Sequence, residues 1–178
     1  EGIRVAYQAI WNVRSKMITS YAAVPHRRHS DGTTARGKRI IGSDAGFAMM
    51  AALDLFVLRE SVAWVHGLIN VRQQTLLILP IHFTTVESQP LFLPYRQELA
   101  ALSQDERKYI VIEILSVPDV LPAFRIKELV ARLHPLVRCI LVQLPPDFVH
   151  IGHWTESGIL GVGFAVGEEN LSEKLLME

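Results

Sequence analysis

Three short apolar runs constrain the fold of this 178-residue chain more than any other feature. They cover residues 75–83, 109–115 and 138–144 and consist mainly of Leu, Ile and Val. Segments with helical spacing of apolar residues, at 90–104 and 122–134, separate them. Runs that are apolar at nearly every position are typical of parallel strands buried on both faces. The alternation predicts an α/β fold, with a mostly parallel sheet and flanking helices, either open or closed as a barrel.

The first 24 residues indicate a different kind of strand pair. Residues 3–10 and 17–24 are apolar or alternate between apolar and polar, and the polar segment from Asn12 to Lys16 separates them. Two such runs around a short polar turn predict an antiparallel hairpin.

A polar segment and a long helix are expected next. Residues 26–43 are rich in Arg, Lys, His and Gly and lack an apolar residue larger than alanine before Ile40, which predicts an exposed loop. Ser43 or Asp44 is expected to cap a helix of about 25 residues that continues to Ile69. With a last strand at 158–166, the chain has room for about six strands, fewer than the eight of a complete barrel.

Composition narrows the function classes. The 18 basic and 18 acidic residues cancel, so no global field favours a nucleic-acid partner. No apolar run approaches the roughly 20 residues that a membrane-spanning helix needs. The single cysteine, Cys139, and the absence of a signal-peptide pattern favour a cytoplasmic location. The start at Glu1 is interpreted as a fragment or an excised domain, with 1–178 forming one domain.

Two segments carry a resemblance to a known family. The segment Tyr7-Gln-Ala-Ile-Trp-Asn-Val-Arg14 is followed, after a turn, by Ala22-Ala-Val-Pro-His26. Together they resemble the opening of the EAL family, Y-Q-P-I-hydrophobic-D-hydrophobic-R and then E-A-L-hydrophobic-R. The run from Tyr109 to Leu115 is similar to a later strand of that family, and the order of elements also agrees. EAL domains hydrolyse the bacterial second messenger cyclic di-GMP.

The resemblance implies a TIM-barrel-related fold that is incomplete in this chain. The free edges of the sheet would then be covered by residues 168–178 or by another copy of the chain. An uncovered edge strand readily pairs with another strand, which favours a homodimer.

The resemblance also implies that the family's metal site is lost. In EAL domains, carboxylates and an Asn at the strand ends hold divalent cations that activate water. In this chain, Ala22 occupies the position of the family's first Glu, and Pro80 occupies the position of the Asn. Gly161-Val-Gly163 replaces a Lys-hydrophobic-Asp motif. The paired aspartates fall at Val142 and Gln143, or at Pro146 and Asp147 in a shifted register. We therefore expect no catalytic residue, no metal and no cofactor. The remnant site positions are Gln8, Ala22, Pro80, His82, Glu113 and Gln143.

Two of these remnant positions leave alternatives open. Glu113 lies in an apolar strand, where an unpaired carboxylate is costly. It is expected to form a buried ion pair with Arg138 or Arg14, although a remnant ligand role or solvent exposure would also explain it. His82 ends a buried strand on the side where barrel sites form, which indicates a functional or hydrogen-bonded role.

The basic segment after the hairpin has the G-x-x-x-x-G-K spacing of a phosphate-binding loop from Gly32 to Lys38. Its context argues against that motif, because Arg39 occupies the Ser/Thr position and no buried strand precedes it. A solvated loop is the simplest interpretation, and contact with an anion or a partner is the alternative. The residues that would make anion contacts are Arg27, Arg28, Arg36, Lys38 and Arg39.

These observations predict a non-catalytic EAL-like domain that acts as a regulatory or protein-interaction module of a bacterial signalling protein. Its partner would be another protein or an attached signalling domain. One alternative is a receptor that binds cyclic di-GMP without metal, through Gln8 and the loop arginines. An active cyclic di-GMP phosphodiesterase is the other.

Overall fold

A computed structural model describes residues 2–42, 44–70, 75–146, 148, 154 and 157–164. Its strands are β1 (Ile3–Asn12), β2 (Met17–Arg28), β3 (Thr34–Arg36), β4 (Leu76–His82), β5 (Ile110–Leu115), β6 (Cys139–Leu144) and β7 (Gly161–Phe164). Its helices are α1 (Phe47–Asn70), α2 (Phe83–Glu87), α3 (Gln89–Ala101), α4 (Gln104–Arg107) and α5 (Ala123–Leu133). Two short 3-10 segments cover Gly37–Ile40 and His134–Leu136.

The strands form one mixed sheet in the order β1-β2-β4-β5-β6-β7, with β3 added beside β2. The ladders from β2 to β4, β5, β6 and β7 are parallel, and β1 and β3 pair with β2 in the antiparallel sense. The prediction of a mostly parallel α/β sheet with flanking helices is therefore confirmed. Within the residues that the structure describes, no ladder joins β7 to β1, so the sheet is not closed there.

The predicted hairpin is present, but the predicted exposed loop at 26–43 is partly wrong. Strand β2 continues to Arg28, and Arg27 pairs with Ala35 of β3. Gly32, with a φ of 87°, allows the turn between these strands, in which its N–H donates to the carbonyl of His29 at 3.1 Å. A short edge strand needs only backbone hydrogen bonds and little apolar burial, so its polar sequence did not reveal it.

The long helix is confirmed, although it begins later than predicted. Helix α1 begins at Phe47, and the carbonyl of Gly46 accepts hydrogen bonds from Met49 and Met50. Asp44 therefore lies in the turn before the helix, and Ser43 lies outside the described residues.

The core lies between the parallel strands and the helices packed on the sheet. Leu79, Ile112 and Ile140 stand side by side across β4, β5 and β6, and each is at most 1% exposed. In the part of the chain that is described, no helix is both long and apolar enough to cross a bilayer.

Candidate strand-end site

The fold brings the remnant site positions together. Ala22, Pro80, His82, Glu113 and Gln143 all line one cavity of about 170 Å³. Gln8 lies beside it on β1, directly opposite Ala22. The functional role of these positions remains a prediction, but they share one place in the fold.

Parallel pairing explains this convergence. Strands β2, β4, β5 and β6 run in the same direction, so their carboxyl ends meet at one edge of the sheet. Pro80 of β4 stands opposite Glu113 of β5, which stands opposite Leu141 of β6. Gln143 follows Leu141 by two residues and points to the same face of β6.

The cavity has few free metal ligands, because Asp54 and His82 line it but hydrogen-bond to each other, which leaves Glu113 as the other carboxylate among its lining residues. Ala22 and Pro80 offer no side-chain oxygen, and Gln143 offers an amide instead of a carboxylate. In the described residues, no group of three His, Cys, Asp or Glu side chains could hold a metal ion. These residues do not fit a two-metal centre of the kind that the resemblance implies for active EAL domains.

Glu113 does not form the predicted ion pair. The guanidinium of Arg138 donates to the carbonyl of Lys108 at 3.4 Å, and Arg14 lies exposed at the β1–β2 turn. Arg138 precedes β6, whereas Glu113 lies in the second half of β5, so the strands hold the two side chains apart. The Glu113 carboxylate instead lies above Gly163, where a Cβ would stand 3.2 Å from Oε1. Burial without a cation raises the pKa of Glu113.

Glu113→Gln is expected to stabilise the protein at pH 7 by about 1 kcal/mol or less, because water reaches part of the carboxylate. The folded state holds the Glu113 proton more tightly than the unfolded state does. The stability cost of ionised Glu113 is thus absent below its ordinary pKa of 4.5 and complete above the raised folded-state pKa. Urea unfolding of both proteins between pH 4 and pH 8 measures this difference.

Glu128→Gln is the matched control. Hydrogen bonding and charge from Arg132 lower the pKa of Glu128, and Arg125 adds to the effect, so this change should bring no gain at pH 7. Equal stability of Glu113→Gln and the wild type across the whole pH range would contradict the desolvation of Glu113.

A buried network beside the cavity was not foreseen. Asp54 of α1 is 2% exposed, and its Oδ2 accepts hydrogen bonds from the backbone N–H of His82 at 3.0 Å and from Thr85 Oγ1 at 2.6 Å. Its Oδ1 lies 2.7 Å from His82 Nδ1. The one signal in the sequence is an aspartate inside an apolar helical segment, Ala51-Ala-Leu-Asp-Leu-Phe56.

This network fixes the ring of His82. Since Nδ1 faces the Asp54 carboxylate, Nε2 is the ring nitrogen left without a hydrogen bond to a described residue. His82 lines the cavity and immediately precedes α2, so Asp54 also ties α1 to the β4–α2 junction. The structure shows the predicted hydrogen-bonded role of His82, and a functional role stays a prediction.

The five residues predicted to contact anions do not form one group. Arg28 and Arg36 lie on the face of β2 and β3 that carries His26. Arg27 lies on the opposite face, where its guanidinium donates to the carbonyl of Ile40 at 3.4 Å. Lys38 and Arg39 are exposed in the 3-10 segment.

No protein-family model matches this sequence, and no curated protein sequence matches it. Solved structures, in contrast, match its fold. The PaMucR phosphodiesterase in complex with c-di-GMP has a TM-score of 0.75 at 10% identity, over 99% of this chain and 70% of that one. The EAL enzyme Bd1971 in its cGMP-bound form has a TM-score of 0.74 at 12% identity, over 99% of this chain and 49% of that one.

A third solved structure also matches the fold. The EAL domain of FimX from Pseudomonas aeruginosa, bound to c-di-GMP, has a TM-score of 0.65 at 12% identity, over 90% of this chain and 64% of that one. The chain spans about half the length of the Bd1971 chains that it matches. The fold is therefore EAL-like, with the TIM-barrel-related sheet curled into an incomplete barrel in the described residues.

Proposed function

We propose that this chain is a non-catalytic EAL-like domain with a regulatory or protein-interaction role in bacterial cyclic di-GMP signalling. Its fold matches the FimX EAL domain bound to c-di-GMP and the PaMucR phosphodiesterase in complex with c-di-GMP. That likeness supports the signalling context. The composition of the strand-end cavity supports the absence of turnover.

The non-catalytic role rests on the small number of metal-binding side chains at the strand-end cavity. Metal-assisted hydrolysis of a phosphodiester needs carboxylates that position cations and an activated water. The remnant positions supply one carboxylate, Glu113, whose pKa is raised by burial. The cavity, at about 170 Å³, is also smaller than the roughly 300 Å³ at which small-molecule sites begin.

The β1–β2 turn region supports a role through contacts. Its exposed apolar side chains include Trp11 and Ile18, which stand directly opposite each other and are 58% and 45% exposed. Apolar groups clustered at one end of a hairpin are typical of surfaces that a partner covers. Among the described strands, β1 also ends the sheet, and the edge that it does not share with β2 offers backbone groups to a protein partner, an attached domain or a second copy.

A receptor for cyclic di-GMP is the second candidate. Gln8 lies opposite Ala22, and cationic side chains lie further along the same strands. Such a receptor would bind without metal, through the Gln8 amide and the guanidinium groups. An active phosphodiesterase is the third candidate, and it has the least support, because the remnant positions offer few metal-binding side chains.

Titration calorimetry with cyclic di-GMP, with and without Mg²⁺, separates the three functions. An interaction module should give no binding heat in either condition and no linear product after prolonged incubation. Binding heat without Mg²⁺ would replace the interaction module with a receptor. Mg²⁺-dependent turnover that is lost in Glu113→Gln would overturn the proposal, and Glu128→Gln is the control that should leave any turnover unchanged.

A further inference from the structure

Three basic side chains form a row across the β1–β2–β3 end of the sheet. Arg4 pairs with His26, and His26 pairs with Arg36. Directly opposed residues of antiparallel strands share a face, so the three side chains are neighbours. Arg28 follows His26 by two residues and joins the same face beside Thr34. The row therefore places the guanidinium groups of Arg4 and Arg36 on one face, on either side of the His26 ring.

The arginines of this face have no acidic partner within the described residues. Arg4, Arg28 and Arg36 make no ion pair or hydrogen bond there, and residues 2–30 contain no Asp or Glu. Asp31 is the first carboxylate after this segment, and its Oδ1 accepts hydrogen bonds from the backbone N–H and the hydroxyl of Thr33. The Nδ1 atom of His26 is buried and has no hydrogen-bond partner among the residues that the structure describes.

The row borders a concavity large enough for a ligand. The concavity measures about 490 Å³, within the range of small-molecule sites. Its lining is polar and, among the described residues, contains no carboxylate. The lining residues are Gly2, Arg4, His26, Arg28, Gly32 and Thr34.

We propose that this concavity binds the phosphate groups of a small anionic ligand, with a compact diphosphate as the simplest form. Guanidinium groups donate paired hydrogen bonds to phosphate oxygens, and Arg4 and Arg28 would each supply such a pair. Arg36 adds positive charge, and the His26 ring and the Thr34 hydroxyl complete the polar wall. This site goes beyond the proposed non-catalytic role, because it requires neither the strand-end cavity nor metal, and the receptor candidate would share some of its guanidinium groups.

Pyrophosphate is the probe that tests the site. Calorimetric titration at constant ionic strength should show saturable binding to the wild type. Arg4→Gln and Arg28→Gln should each weaken binding about tenfold, the loss expected for one charge-assisted hydrogen-bonding group. Arg36→Gln should weaken binding less, because Arg36 is outside the lining and adds only charge. The triple variant should show no saturable binding.

The matched control is the triple variant Arg14→Gln, Lys16→Gln and Lys127→Gln. It removes the same charge from exposed positions outside the concavity, and its affinity should stay within about twofold of the wild type, since distant exposed charges are screened. Equal losses in the two triple variants would mean binding by general charge alone and would overturn the site. Absence of pyrophosphate binding to the folded wild type would also overturn it, and circular dichroism checks the folding of every variant.

Vesicles distinguish a free ligand from a lipid headgroup. If vesicles with phosphatidic acid bind the wild type and pyrophosphate displaces them, the source is a lipid phosphate. If vesicles do not bind while pyrophosphate does, the source is a soluble phosphate. Vesicle binding that pyrophosphate leaves unchanged would contradict the site. Failure of this proposal leaves the non-catalytic function intact, because that function rests on the strand-end residues.

Discussion

Asp54→Ala is expected to lower the free energy of unfolding by about 3–5 kcal/mol, as found when one partner of a buried charged network is removed. The Asp54 carboxylate accepts hydrogen bonds from the backbone and ring of His82 and from the hydroxyl of Thr85. All three residues are at most 7% exposed, so water would not replace the lost acceptor. The three donors would be left buried without partners, and each carries a desolvation cost.

Urea unfolding followed by circular dichroism measures this loss. Asp54→Asn keeps one acceptor oxygen and should lose less than Asp54→Ala. Asp105→Ala is the matched control, because that exposed carboxylate pairs with exposed Lys108 and its removal should change stability by less than about 0.5 kcal/mol. If Asp54→Ala unfolded at the same urea concentration as the wild type, the network would not be holding α1 against the β4–α2 junction.

Ile112→Ala is expected to cost about 2–5 kcal/mol, the range for an isoleucine deleted from a close-packed core. Ile112 lies at the centre of β5, is 0% exposed, and stands between Leu79 and Ile140 of the neighbouring strands. The parallel ladders hold these neighbours in place, so the core would collapse only partly around the smaller side chain.

Two further variants test whether the loss of stability depends on the number of atoms removed and on their burial. Ile112→Val removes one methylene group and should cost about 0.5–1.5 kcal/mol. Val120→Ala removes apolar atoms that are 85% exposed and should cost less than about 0.5 kcal/mol. Unfolding curves for the three variants should therefore separate in that order, and an Ile112→Ala curve that overlays the Val120→Ala curve would contradict the central position of β5.

Local periodicity was enough to predict most elements. The run at 109–115 became β5 at Ile110–Leu115, and the amphipathic segment at 122–134 became α5 at Ala123–Leu133. Both patterns depend on residues close together in the chain, so neighbouring residues carry the signal. The same reasoning failed for β3, because Thr34–Arg36 forms backbone hydrogen bonds with β2 and buries little apolar surface.

The candidate sites were less predictable because they depend on distant pairs. Asp54 and His82 are 28 residues apart, and no local pattern indicates that a helix places this carboxylate under the end of β4. The proposed partners of Glu113 were wrong for the same reason, since charge suggests a pair but only strand direction and register decide whether two side chains meet. The basic segment was predicted as one group, and the alternation of side chains along β2 separated Arg27 from Arg28.

The sequence by itself determined the α/β class, the buried parallel strands, the hairpin and the resemblance to EAL domains, because these depend on local apolar patterns and short motifs. Tertiary structure alone decided which side chains share a site. It gathered Ala22, Pro80, Glu113 and Gln143 at one cavity, and it aligned Arg4, His26 and Arg36 across three strands. Parallel ladders bring strand ends together and antiparallel register sets opposite neighbours, and both are fixed only when residues far apart in the chain pair.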